Sequence, residues 1–184
     1  MTYNLAHKLV LSFAMVMALS LIPAHARAEN NIAVVNIQQI MVESKAAKNI
    51  QTQLDAQRKS FQEEFSKHER DLMEEEKKLK EEHATMPAEE FGKKWQDFEK
   101  TVQDTRKLAQ KRQKALEEGA GKALTTLRDE VMKIVADISD KEKYDLVLTR
   151  QNVILAQKDM DITDEVMKRL NKSLKEVKLK VDTN

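Results

Sequence analysis

From Val42 to Ile138 apolar residues return at intervals of three, four and seven, and the only proline in that stretch is Pro87. A stripe of this period stays on one face only if the chain coils at about 3.6 residues per turn, so the segment is confined to helix. On a first arm the stripe reads Ala47, Ile50, Leu54, Phe61, Phe65, Leu72 and Leu79, and the step of four from Phe61 to Phe65 relaxes a left-handed supercoil. On a second arm it reads Phe91, Trp95, Phe98, Val102, Ala109, Leu116, Ala123, Leu127, Val131, Ile134 and Ile138, with polar Thr105 and Arg112 in two stripe positions. Between them Pro87 cannot continue the preceding helix but suits the first turn of a new one, where Glu89 and Glu90 favour its positive end. The tip of an antiparallel hairpin therefore falls near 83–88, and helices of ~40 and ~50 residues run roughly 60 and 75 Å. Such pairing sets Leu79 beside Phe91, Leu72 near Phe98 and Phe65 near Thr105.

The remaining helix faces carry Glu, Lys, Gln and Asp, so two helices bury one stripe between them and the arm projects into water. Phe61, Phe65, Phe91, Trp95 and Phe98 then have two readings, seam packing or aromatics presented to a bound client. Gly119 and Gly121 interrupt the second arm, each at a cost of ~1 kcal/mol relative to Ala. The same pairing sets them opposite Asn49 to Gln51, where they allow either close packing against Ile50 or a hinge at the arm's root.

The two ends of the chain change period. Ile32 to Ile37 is β-branched enough for a strand, Tyr144 to Thr149 alternates, and Asn152 to Ala156 is a third short apolar run. Asp161 or Thr163 then caps a helix that runs through Val166, Met167 and Leu170. The expected fold class is α+β and mostly α: a long antiparallel coiled-coil hairpin arm over 42–138 on a small β-strand body made from 29–41 and 139–184. A body of that size rarely buries enough apolar surface to stabilise itself, and its sheet edges need cover. Association of several copies meets both deficits, although the residues do not set their number.

Ahead of all this, Lys8 precedes an apolar run from Leu9 to Ile22, then Pro23 and a small-x-small pattern, Ala26-Arg27-Ala28. Fourteen helical residues reach roughly 21 Å, short of a hydrocarbon core of ~30 Å. Residues 1–28 therefore read as a signal peptide cleaved after Ala28, with Ala24-His25-Ala26 as a rival cleavage point. Its loss removes Lys8 and Arg27 and no acid, turning the formal charge of +1 into −1. Nucleic acid is not an expected partner of so balanced a chain. Three glycines supply no dinucleotide or phosphate-binding loop, and the absence of cysteine excludes disulfides and thiol chemistry. His68 and His83, fifteen apart, have no chelating spacing and read as surface residues. No cofactor, metal or enzymatic activity is expected.

Three stretches resemble the Skp/OmpH family of periplasmic chaperones: the leader followed by IAVVNIQQIMVESKAAKNIQTQLD (32–55), the charged hairpin, and YDLVLTRQNVILAQKDMDITDEVMKRLN (144–171). The last is the most specific, because strand, turn and the DITDEV helix start recur together in that family. The resemblance implies a homotrimer whose strands form a β-barrel body bearing three helical tentacles. It also implies a periplasmic, ATP-independent holdase that keeps unfolded outer-membrane proteins from aggregating and passes them on for membrane assembly. The matching strands place Val34, Val35, Ile37, Leu146 and Leu148 at the oligomer interface.

Family members are often basic with positive arm tips. This chain departs from that pattern, with nine acids against six bases from Glu74 to Lys100, net −3. Its basic clusters lie at Arg106, Lys107, Lys111, Arg112 and Lys114, and at Lys168, Arg169, Lys172, Lys175, Lys178 and Lys180. Both read first as solvated faces, with a site for anionic client segments or lipid headgroups as the sharper alternative for the arm cluster; contact with anionic lipid or lipopolysaccharide is expected to be weak and not made by the acidic tip. The rival class is a periplasmic coiled-coil tether or adaptor, which shares every one of these features except client protection.

Overall fold

The computed structural model describes residues 31–181; the leader and Ala28 lie outside them. The chain opens with strand β1 (Ile32–Val35). Asn36 ends it early: its side chain accepts a hydrogen bond from the Gln39 N–H at 3.0 Å and so caps helix α1 (Ile37–Glu43). An asparagine oxygen that satisfies an otherwise orphaned helix N–H outweighs the strand preference of the residue that follows. Ile37, read as a strand residue, is thus the first residue of a helix. Ser44, fully buried, breaks the helix with extended backbone and caps the next, its Oγ accepting from Ala47 N–H at 3.2 Å.

Helix α2 (Lys45–Glu82) is 38 residues long, and α3 (Ala88–Glu142) is 55. At ~1.5 Å per residue they rise about 57 and 82 Å. Pro87 precedes α3 and Glu89 and Glu90 lie in its first turn. The return leg ends at Lys143, a non-glycine residue in the left-handed region (φ 59°, ψ 42°), and leads into β2 (Leu146–Thr149). Strands β1 and β2 pair in parallel, Ile32 opposite Leu146 and Val35 opposite Thr149, so the whole hairpin is their crossover.

The third expected strand does not form. A 3-10 turn over Arg150–Asn152, closed by Val153 N–H on the Arg150 carbonyl at 3.2 Å, bends the chain away from the sheet. The other edge of β1 is met by Asp161, and Ile162 N–H donates to the Val34 carbonyl at 2.9 Å. Helix α4 (Thr163–Ser173) follows. Of the two capping candidates, Asp161 acts on this helix, accepting from Thr163 N–H at 2.9 Å, while the Thr163 hydroxyl accepts from Asn36 N–H at 2.8 Å. The body is therefore a two-stranded sheet held by α1, α4 and the roots of the long helices. Its core gathers Val35, Ile40, Ile50, Leu127, Val131, Ile138, Val166 and Leu170. Among the described residues no helix is long and apolar enough to cross a membrane.

Candidate functional site

Burial along the arm is uneven. Near the root Leu54 and Leu116 are buried, and near the tip Leu79 and Phe98 are, at 6% and 8% exposure. Between Leu54 and Leu79 the stripe residues Phe61, Phe65 and Leu72 are only half-buried. A step of 25 positions, about 37 Å of helix, thus keeps apolar surface in reach of water. A helix pair has two stripes to bury and no third element to cover their flanks. An open cleft of about 520 Å³ results, lined by Phe65, Leu72, Met73, Phe98, Val102, Thr105 and Ala109, with Met73 62% exposed. Phe65 and Thr105 meet there, as the antiparallel register predicts.

The five aromatics expected at the seam or against a client differ in burial. Phe98 is buried; Phe61, Phe65, Phe91 and Trp95 are half-buried. Toward the tip they form a ladder: His83 edge-on to Phe91 at 4.4 Å, Phe91 stacked on Trp95 at 5.8 Å, and Trp95 tilted against Phe98 at 5.6 Å. Trp95 Nε1 donates to Glu99 Oε1 at 2.9 Å, and Lys94 bridges the arms to Glu82 at 3.0 Å. Lower down, the polar stripe position Arg112 lies over the Phe61 ring at 5.3 Å and 3.5 Å from Glu64, and its buried Nε has no protein partner. The outer faces are laced with i,i+4 pairs. Hydrogen bonds from Lys78 and from Arg169 hold the Glu74 and Glu165 carboxyls below the usual carboxylate range, the first also by the charge of Lys78. These groups are solvent-exposed, so their pairs contribute little to stability.

In the body, Val34 and Val35 are 1% exposed within a single chain, whereas Leu146 is 48% exposed and Ile37 and Leu148 are half-buried. Sequence reasoning missed two further apolar sites. Ile154 and Leu155, on the segment that did not become a strand, are 103% and 88% exposed. A cavity of about 510 Å³ lies between the root of α3, α1 and the end of β2, lined by Ile37, Met41, Leu124, Arg128, Met132 and Thr149. Leu124, Arg128 and Met132 are spaced by four, so a second stripe beside Ala123, Leu127 and Val131 was the available signal.

Gly119 is also placed differently from expectation. It packs against the extended C-terminal segment, where a Cβ would come within 2.4 Å of the Lys180 carbonyl oxygen, while nothing lies within 4 Å of a Cβ at Gly121. Among the described residues no cluster of three or more His, Asp or Glu could hold a metal ion.

The family described as outer membrane protein (OmpH-like) matches this chain over residues 31–170. A search of curated proteins gave no match. Among solved structures, the crystal structure of a candidate outer membrane chaperone (OmpH-like) from Caulobacter crescentus is similar, with a TM-score of 0.77 at 21% identity. The likeness covers 87% of this chain and 96% of that one.

Proposed function

The chain belongs to the OmpH-like outer membrane protein family, and from that premise we propose that it is a chaperone of the periplasm, an ATP-independent holdase for unfolded outer-membrane proteins. The observation that carries this reading is the half-open stripe along the arm, about 37 Å of apolar surface between Leu54 and Leu79 edged by Glu, Lys and Arg. An unfolded barrel protein alternates apolar and polar residues and aggregates through exposed strands. A long, shallow, mixed surface offers such a chain many weak contacts in place of one tight pocket, so it holds without a fuel-driven release step. Phe61, Phe65, Phe91 and Trp95 are the side chains assigned to that contact, with Phe98 as their buried support.

Association of copies is the part of this reading that the body supports. Exposed apolar side chains grouped on a chain mark an interaction surface, and Leu146 on β2 and Ile154 and Leu155 in the segment that follows it are all exposed. Copies of the chain, three by analogy with the Skp/OmpH family, associate through Leu146, Leu148, Ile154 and Leu155, with Val34 and Val35 forming the inner layer and Ile37 lining the neighbouring cavity. In this reading residues 1–28 direct export and are removed after Ala28.

The test is whether the protein lacking its leader, without nucleotide, keeps a urea-denatured outer-membrane barrel protein from scattering light at stoichiometric ratio, and does not retain it once folded. Failure to protect at any ratio rejects the holdase reading in favour of a tether or adaptor.

A further inference from the structure

The family match ends at residue 170, yet the chain beyond α4 does not trail off. After Ser173 it bends at Lys175 and crosses the root of the arm, with Val177 8% exposed and Leu174, Leu179 and Val181 packed on the core. Its main chain is held by one side chain. Gln53 Nε2 donates to the Val177 carbonyl at 2.8 Å, and Leu179 N–H donates to Gln53 Oε1 at 3.0 Å. These two bonds flank one residue, the pattern by which a residue of a parallel strand pairs with its neighbour. The Gln53 carboxamide thus takes the place of a strand edge, and Asn49 Oδ1, 2.6 Å from Nε2, fixes its orientation. On the opposite wall Gly119 lacks the Cβ that would strike the Lys180 carbonyl.

Every element of this cleft reads backbone. What it asks of side chains is alternation: Val177, Leu179 and Val181 face the core, while Lys178 and Lys180 face water. A site that grips main chain and requires only alternate apolar residues is not specific to VKLKV. It fits any extended segment of that pattern, and the strands of membrane barrels have it. We propose that the cleft between Gln53 and Gly119 is a binding site for extended peptide, that residues 177–181 occupy it as a tethered competitor, and that its ligand in trans is an alternating segment of an unfolded barrel protein. The proposal rests on the holdase reading for its ligand, but the site itself does not. A tether this short holds the tail at an effective concentration of about 1 mM, so a tail whose sequence binds the empty cleft with a Kd of about 100 μM or tighter weakens free peptide roughly tenfold or more.

The test uses the whole chain and a fluorescent synthetic peptide of residues 174–184. Leu179→Pro removes the N–H that Gln53 accepts from and unseats the tail. This variant is expected to bind the peptide at least tenfold more tightly than the unaltered chain by anisotropy, and a peptide copied from a barrel strand is expected to displace it. Adding Gln53→Ala or Gly119→Ala to Leu179→Pro is expected to reverse the gain. Equal binding by the unaltered and Leu179→Pro chains, a gain that survives Gly119→Ala, or no displacement by the barrel-strand peptide overturns the proposal. Should Leu179→Pro fail to fold, hydrogen exchange on the unaltered chain decides. Saturating barrel-strand peptide is expected to strip protection from the Leu179 amide, and unchanged protection rejects the site. Aggregation assays run beside these separate the two ideas. Peptide binding without client protection rejects the holdase reading alone, and protection without the Leu179→Pro gain rejects the cleft alone.

Discussion

Substituting alanine at Gly119 and at Gly121, two positions of one helix, is expected to move stability in opposite directions. Both are interior to α3, so either change relieves the same helix penalty, about 1 kcal/mol. At Gly121 the new methyl meets nothing within 4 Å, and that gain stands as a stabilisation of about 1 kcal/mol. At Gly119 the methyl would be placed 2.4 Å from the Lys180 carbonyl oxygen, a backbone atom that cannot rotate aside. The tail must lift, and burial of Val177 alone contributes ~1.5–3 kcal/mol. Offset by the helix gain, Gly119→Ala is expected to destabilise by about 0.5–2 kcal/mol. Urea unfolding followed by circular dichroism, at one fixed protein concentration because association shifts apparent stability, gives both values. Faster exchange at the Leu179 amide in Gly119→Ala shows the tail has moved. If Gly119→Ala stabilises the chain as much as Gly121→Ala, the tail does not press on α3 and the reasoning fails.

Lys143 holds a left-handed conformation that costs a residue bearing a Cβ roughly 1–2 kcal/mol, so Lys143→Gly is expected to raise stability by about 1 kcal/mol in the same urea assay. Arg112→Met removes a buried, unpartnered Nε and leaves Glu64, about a third exposed, free to reach water; the melting midpoint is expected to rise, by about 1 kcal/mol in stability, and a clear fall would show that the Phe61 and Glu64 contacts outweigh that penalty. Phe98→Ala is expected to cost ~3–5 kcal/mol and to lower client protection in step with the melt, whereas Trp95→Ala, half-buried between Phe91 and Phe98, should cost less stability. Protection lost by Trp95→Ala at an unchanged melting curve would place that ring against the client.

The long hairpin was legible because its information is local. A helix of either arm follows from the period of its own residues, and Pro87 marks the turn whatever surrounds it. The partial exposure of the middle of the arm followed less directly: the stripe is continuous in sequence, and only the pairing shows that Phe61, Phe65 and Leu72 are left half-covered. Short segments were less legible. Ile37 and the Asn152–Ala156 run have strand composition, but whether they pair depends on caps and turns, the Asn36 side chain in one case and the Arg150 carbonyl in the other.

Period, charge and the lack of glycine-rich loops or cysteine thus determined by themselves a long two-helix arm, its tip and the two ends that meet at its root. Tertiary structure alone decided which apolar residues stay uncovered and why Gly119 is a glycine. The alternation of Val177, Leu179 and Val181 is written in the sequence, but there it reads as part of a basic run. Its meaning came from a glutamine more than a hundred residues away, because hydrogen bonds and close backbone approach are properties of distance in space, which no local period encodes.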